Sequence, residues 1–65
     1  MKIQYFRNTD TLYIEFRQVE ITESRDLDED TIIDLDAQGK IVAMTMEHAR
    51  HRTDVPNLTF EEVAA

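Results

Sequence analysis

The stretch Asp34-Leu35-Asp36-Ala37-Gln38-Gly39-Lys40-Ile41-Val42 decides how this chain folds, because it holds the only glycine and lies between two β-branched apolar runs. It reads as a hairpin turn. Ala37 and Gln38 suit a type I turn, and Gly39 suits the left-handed residue that closes a three-residue loop with a bulge. Such a loop sets Asp36 opposite Lys40, Leu35 opposite Ile41, Asp34 opposite Val42, Ile33 opposite Ala43 and Ile32 opposite Met44. One face then carries Ile33, Leu35, Ile41 and Ala43, and the other carries Ile32, Val42, Met44 and Met46 beside Asp34. Both faces are partly apolar, which a sheet with one solvated face does not need. The C-terminal segment or another copy of the chain is therefore expected to cover the second face.

Upstream, Ile3 and Tyr5 alternate with Lys2 and Gln4, and Leu12, Ile14 and Phe16 alternate with Tyr13, Glu15 and Arg17. These are two half-buried strands, joined by the turn residues Arg7-Asn8-Thr9-Asp10 into a hairpin. Glu20 to Asp30 is polar and acidic, with Ile21 and Leu27 as its only large apolar residues, so a strand there is an edge, where charge discourages stray pairing. Downstream, Glu47 to Arg52 lacks β-branched residues and fits one or two helical turns, while Pro56 pushes Val55 towards an extended conformation. Thr59-Phe60-Glu61-Glu62 fits a capping box, with Leu58 and Val63 placed for a hydrophobic staple. Too few residues follow for an isolated helix to persist, so a tail carrying Leu58, Phe60 and Val63 is expected to fray or to dock.

Length and charge bound the rest. A chain of 65 residues is one small domain, with a sheet over 2–46 and a short helical or docking segment over 47–65. At this size only about 60% of the unfolded surface is buried, and a partner subunit would help stability. There is no cysteine, which removes thiol catalysis and thiolate zinc sites. No run approaches the roughly 20 apolar residues of a membrane span, and Lys2 is followed by no apolar signal core. The expectation is a soluble cytoplasmic protein. Fourteen acidic residues against seven basic ones give a formal charge of −7, which repels phosphate backbones and favours basic partners or cations.

The run Asp10-Thr11-Leu12-Tyr13-Ile14, followed after the acidic stretch by Ile32-Ile33-Asp34-Leu35-Asp36 and Gly39-Lys40-Ile41-Val42, resembles the domain of unknown function 2283 family, roughly from Met1 to Ala49. The resemblance implies a small bacterial domain of antiparallel strands with a short helix and no established enzyme activity. Some members are encoded beside small toxin-like proteins, so it also implies an antitoxin-like role. This chain departs from the family pattern at Ala43-Met44-Thr45-Met46, where members have Gly, an apolar residue, Glu and an apolar residue. It departs again at Ala49-Arg50, where an Ala-Ser pair is common.

Candidate chemistry is sparse. Asp34-Leu35-Asp36-Ala37-Gln38-Gly39 copies the opening of a calcium loop, but the ninth and twelfth positions fall on Val42 and Thr45. A plain hairpin in which Asp36 pairs with Lys40, for about 0.2 to 1 kcal/mol, accounts for the same residues. Asp34 and Asp36 lie on one side of a strand but have no cleft between them. Ser24 is the only serine and lacks a nearby His, and one glycine cannot make a phosphate loop. His48 and His51 stand three apart after Glu47 and beside Arg50 and Arg52. On a helix they could share a metal, or act as acid and base on a phosphodiester. The plainer alternative is a basic face that favours a helix C-terminus.

The sequence thus points to an α+β domain, with an antiparallel sheet of four or five strands built from hairpins and a short C-terminal helix. Its expected role is a non-enzymatic, acidic interaction module that needs no cofactor, self-associates as a dimer and accepts a basic protein, without nucleic acid or membrane. Asp26, Asp28, Glu29, Asp30, Met44, Met46, Leu58, Phe60 and Val63 are the expected contact residues, with His48, Arg50, His51 and Arg52 as the alternative site.

Overall fold

The computed structural model describes residues 1–64. Five strands form in chain order: β1 (Lys2–Phe6), β2 (Thr11–Glu15), β3 (Glu23–Asp28), β4 (Thr31–Leu35) and β5 (Ile41–Met46). They make one antiparallel sheet in the order β1-β2-β5-β4-β3. The last strand in sequence is therefore central, and the acidic β3 is an edge, as its composition requires. A single 3₁₀ turn, Ala49–His51, follows β5, so the protein is mainly β and the expected α+β class loses its helix. The capping-box segment around Thr59 likewise has no helical structure. Ala65, the end of the expected docking segment, lies outside the described residues.

The Gly39 turn forms as its residues dictate. The Gly39 amide donates to the Asp36 carbonyl at 3.0 Å, the Asp36 amide donates to the Lys40 carbonyl at 2.9 Å, and Gly39 sits at φ +79°. Asp36 faces Lys40 and Leu35 faces Ile41, as expected. The carboxylate of Asp36, however, does not turn to the Lys40 ammonium. One oxygen accepts the amides of Gln38 and Lys40 at 2.9 Å each, and the other takes the Arg17 guanidinium at 2.7 Å. A short acidic side chain inside a tight turn meets the free amides of its own loop before it meets an extended lysine.

Beyond Leu35 the register slips by one residue. Asp34 faces Ala43 rather than Val42, Ile33 faces Met44, Ile32 faces Thr45 and Thr31 faces Met46. Because side chains alternate with a period of two, one extra residue transfers every later β5 position to the other face. Ile33, Leu35, Val42, Met44 and Met46 consequently share one face, which β1 and β2 extend with Ile3, Tyr5, Leu12 and Ile14. The other face carries Ile32 and Ala43 among Tyr13, Glu15, Asp34 and Thr45. The expectation of two partly apolar faces is corrected to one apolar and one mostly polar face.

A single sheet gives little enclosed volume. The extents are 36 × 32 × 17 Å, and among the described residues only Leu35, Val42, Ala43 and Ala49 are buried apolar residues. Domains ordinarily close a core between two layers, whereas the described residues supply one sheet and one 3₁₀ turn.

Gly39→Ala should lower stability by about 1 kcal/mol, measured by urea denaturation, because an alanine Cβ meets nothing within 4 Å and the cost is the left-handed backbone alone. Gly39→Asn should cost less, since Asn tolerates that conformation. An unchanged midpoint for the alanine variant would contradict the turn.

Candidate functional site

One end of the sheet gathers most of the charged contacts. β5 runs antiparallel to β2 and to β4, so its C-terminal end emerges between the β1–β2 turn, which ends at Asp10, and the β3–β4 turn, which ends at Asp30. The departing chain bonds to both. The Glu47 amide donates to the Asp30 carbonyl at 2.7 Å, and the Ala49 amide donates to the Asp10 carbonyl at 3.0 Å. Asp10 and His48 both adopt positive φ, 55° and 54°, values that Asp and His accept more readily than most residues.

Side chains complete the junction. The Asp10 carboxylate accepts the Tyr5 hydroxyl at 2.6 Å and the Arg50 amide at 3.1 Å, with the Arg50 Nε 3.4 Å away. Arg52 spans Asp28 through both terminal nitrogens, at 3.2 and 3.0 Å, and donates to the buried Thr31 hydroxyl at 2.8 Å. Nδ1 of His48 lies 3.0 Å from Oδ1 of Asp30. The Tyr5 hydroxyl holds Asp10 below the usual carboxylate range, and the Arg52 guanidinium does the same for Asp28. Asp30 beside His48 raises the imidazole above its ordinary value.

This junction absorbs the alternative site expected from the sequence. Arg50 and Arg52 already face carboxylates, and His48 faces Asp30. The His48 and His51 ring centroids are 6.4 Å apart. Metal-donor atoms that come within 4.8 Å of one another belong to Asp30, Glu47 and His48 rather than to His51. Glu47 and His48 are exposed, so these three donors form an open arrangement at the surface, unlike the closed tetrahedral cage of a structural zinc. The calcium-like run also separates: Asp34 accepts the Ser24 hydroxyl at 2.6 Å on the polar face, while Asp36 is taken by its loop and Arg17.

The expected contact residues divide into three places. Asp26 and Glu29 lie exposed along β3 and its turn, whereas Asp28 and Asp30 are engaged by Arg52 and His48. Met44 and Met46 stand half-buried at the centre of the apolar face, between Ile14 and Ile33 and between Leu12 and Thr31. Leu58, Phe60 and Val63 lie on the tail at 67%, 80% and 74% exposure, so most of their surface is uncovered. Two residues outside the expected set prove structural: Arg17, which closes on Asp36, and Asp10, which joins both ends of the sequence. Asp10 had a signal, since Asp10-Thr11 and Asp30-Thr31 repeat the same pair at the entry to a strand.

The fold and this junction define a small antiparallel-sheet domain fastened at one end by carboxylates. Residues 2–50 match the family model described as "Protein of unknown function (DUF2283)", and the chain belongs to that family. No curated protein and no solved structure matches the chain. Among the described residues, no helix is long and apolar enough to cross a membrane.

Two outcomes test the junction. Asp10 and Asp28 have lowered values in the folded chain, so their contribution is present above the ordinary carboxylate value of about 3.9 and lost as pH falls through the depressed values. His48, facing Asp30, Glu47 and Asp10, has a raised value, so its contribution is full below about 6.5 and lost as pH rises through the raised value. The urea midpoint should therefore plateau between these limits, and His48→Asn, which keeps a residue tolerant of positive φ, should remove the alkaline decline. A midpoint that rises through the alkaline limb would contradict the His48–Asp30 contact. Separately, Asp10→Ala should lower the midpoint more than Asp10→Asn, because Asn keeps an acceptor and tolerates positive φ. Equal effects would remove the junction at Asp10.

Proposed function

We propose that this chain is a cytoplasmic protein-interaction module with no chemistry of its own, which presents the apolar face of its sheet to a protein and its acidic β3 edge to the surroundings. The carrying observation is the apolar face of the sheet, whose centre at Ile14, Met44 and Ile33 is half-buried and which has no helix or second sheet against it among the described residues. Water on such a surface costs about 25 cal/mol per Å², so covering it with protein is favourable. Exposed Asp26, Leu27 and Glu29 give the β3 edge an anionic, partly apolar character that suits a basic protein, in keeping with an antitoxin-like or adaptor role. The pairing of Arg50 and Arg52 with carboxylates argues against anion chemistry at His48 and His51.

The test is to isolate the tagged chain at native level from its own host and identify stoichiometric protein species by mass spectrometry. Association should be lost on Met44→Lys, at the centre of the face. It should survive the combined His48→Asn and His51→Ala substitutions. Association lost with the histidines and kept with Met44→Lys would overturn the reading.

A further inference from the structure

We propose that the tail of this chain closes on the β1 edge as a sixth antiparallel strand, with Leu58 opposite Tyr5, Thr59 opposite Gln4, Phe60 opposite Ile3 and Glu61 opposite Lys2. The contact uses an edge of the sheet rather than its apolar face, so it does not depend on what binds that face. Three observations carry it: an unguarded edge, a tail that starts beside it, and a match of side chains in the register that this start imposes.

The two edges of the sheet differ. β3 carries Glu23, Arg25, Asp26 and Asp28 and shifts its register between Asp26 and Asp28, and charge and irregularity of this kind discourage pairing with further strands. β1 has neither defence. Its five residues pair with β2 without a shift, include no proline and hold one charge, Lys2, while Ile3 and Phe6 remain exposed. Such an edge offers backbone amides and carbonyls to an extended segment within reach.

The C-terminal tail is within reach. Pro56 lines one cleft with Tyr5, Phe6, Arg7, Asn8 and Thr9 at the end of β1, and the Asn57 amide donates to the Asp54 carbonyl at 2.9 Å in the turn from which the tail departs. Residues 57–64 have no regular structure, and Leu58 and Phe60 are exposed. The structure thus holds the tail open, beside the edge but not on it. From a start beside Phe6 and Arg7, the tail can follow β1 only towards Lys2, which is the antiparallel direction. Asn57 then falls opposite Phe6, and Asn57 to Glu61 covers the five residues of β1.

That register matches side chains. Residues opposite one another in an antiparallel pair share a face, so Leu58 and Phe60 join Tyr5 and Ile3 on the apolar side, and Thr59 joins Gln4 on the polar side. Glu61 falls opposite Lys2, whose other neighbour is Glu15 on β2. A shift of two residues one way sets Glu62 opposite Ile3, and two the other way takes Glu61 past the end of β1. Charge favours the same docking at longer range. Residues 1–9 contain two bases, Lys2 and Arg7, and no acid, whereas residues 54–62 contain three acids, Asp54, Glu61 and Glu62, and no base. Tail and edge belong to one chain, so the tail of a second copy has to compete with one tethered beside its site. Closure guards the second edge of the sheet and adds Leu58 and Phe60 to its apolar side.

Amide hydrogen exchange of the full chain, read residue by residue by nuclear magnetic resonance, tests the closure. Alternate amides within Leu58–Glu61 should exchange about 10-fold or more slower than in a free peptide of residues 54–64, and equally so at every protein concentration. Glu61→Lys should remove this slowing, and Lys2→Glu combined with Glu61→Lys in one chain should restore it. Glu62→Lys, the same change of charge on the next residue, should leave it intact. Circular dichroism confirms that each variant keeps its sheet. If the double variant does not fold, because Lys2→Glu also faces Glu15, the contrast between Glu61→Lys and Glu62→Lys decides. Exchange at the free-peptide rate in the unaltered chain overturns the proposal, as does equal loss with Glu61→Lys and Glu62→Lys. Slowing that grows with concentration, and that returns on mixing the Lys2→Glu and Glu61→Lys chains, would put the tail on a second copy and overturn it too.

Discussion

Between the Asp34–Ala43 and Leu35–Ile41 pairs, the β4–β5 ladder absorbs one extra residue, and the allocation of side chains to the two faces follows from it. Without the slip, Met44 and Met46 would stand beside Ile32 and Asp34, and the apolar surface would be split between two sides. With it, Met44 joins Ile14 and Ile33, and Met46 joins Leu12. A sheet with its apolar side chains on one side can be closed by one partner layer. A sheet with them on both sides would need two.

The ends of the sheet are held by carboxylates rather than by a core. Asp36 fixes the turn before β5 by accepting two loop amides and Arg17, while Asp10, Asp28 and Asp30 fix the chain after β5 by accepting its amides, Arg52 and His48. Each of these acids satisfies backbone or side-chain donors that a chain of this size cannot bury against helices. Half of the acidic character that the sequence suggests is meant for partners is thus spent inside the molecule. Among the acids left without such partners are Asp26 and Glu29 on the β3 edge and Glu15 on the polar face, where burial and Glu15 also raise the Tyr13 hydroxyl above its ordinary value.

The legibility of this chain divides along physical lines. Local signals were readable: the turn chemistry of Ala37-Gln38-Gly39, the alternation in Leu12 to Phe16 and the acidic edge at β3 each depend on a few neighbouring residues. The slip leaves no mark in the sequence, because Asp34, Val42 and Ala43 fit either register. The expected short helix does not form because its backbone donors find other partners. Glu47 to Arg52 has helical composition, but the amides of Glu47 and Ala49 find the carbonyls of Asp30 and Asp10, and one 3₁₀ turn is what remains. As for the site, the engagement of Arg50, Arg52 and His48 by acids 18 to 40 residues away leaves no trace in a linear reading.

The central claim is that the slip collects the apolar side chains on one face and that this face is covered in solution. Paramagnetic attenuation of methyl signals by a soluble relaxation agent tests it directly, using the full chain with labelled isoleucine and methionine methyls. The account predicts that Ile14, Ile33, Met44 and Met46 are shielded while Ile32 and Ile41 are strongly attenuated. Attenuation of Met44 and Ile14 to the level of Ile32 would contradict it.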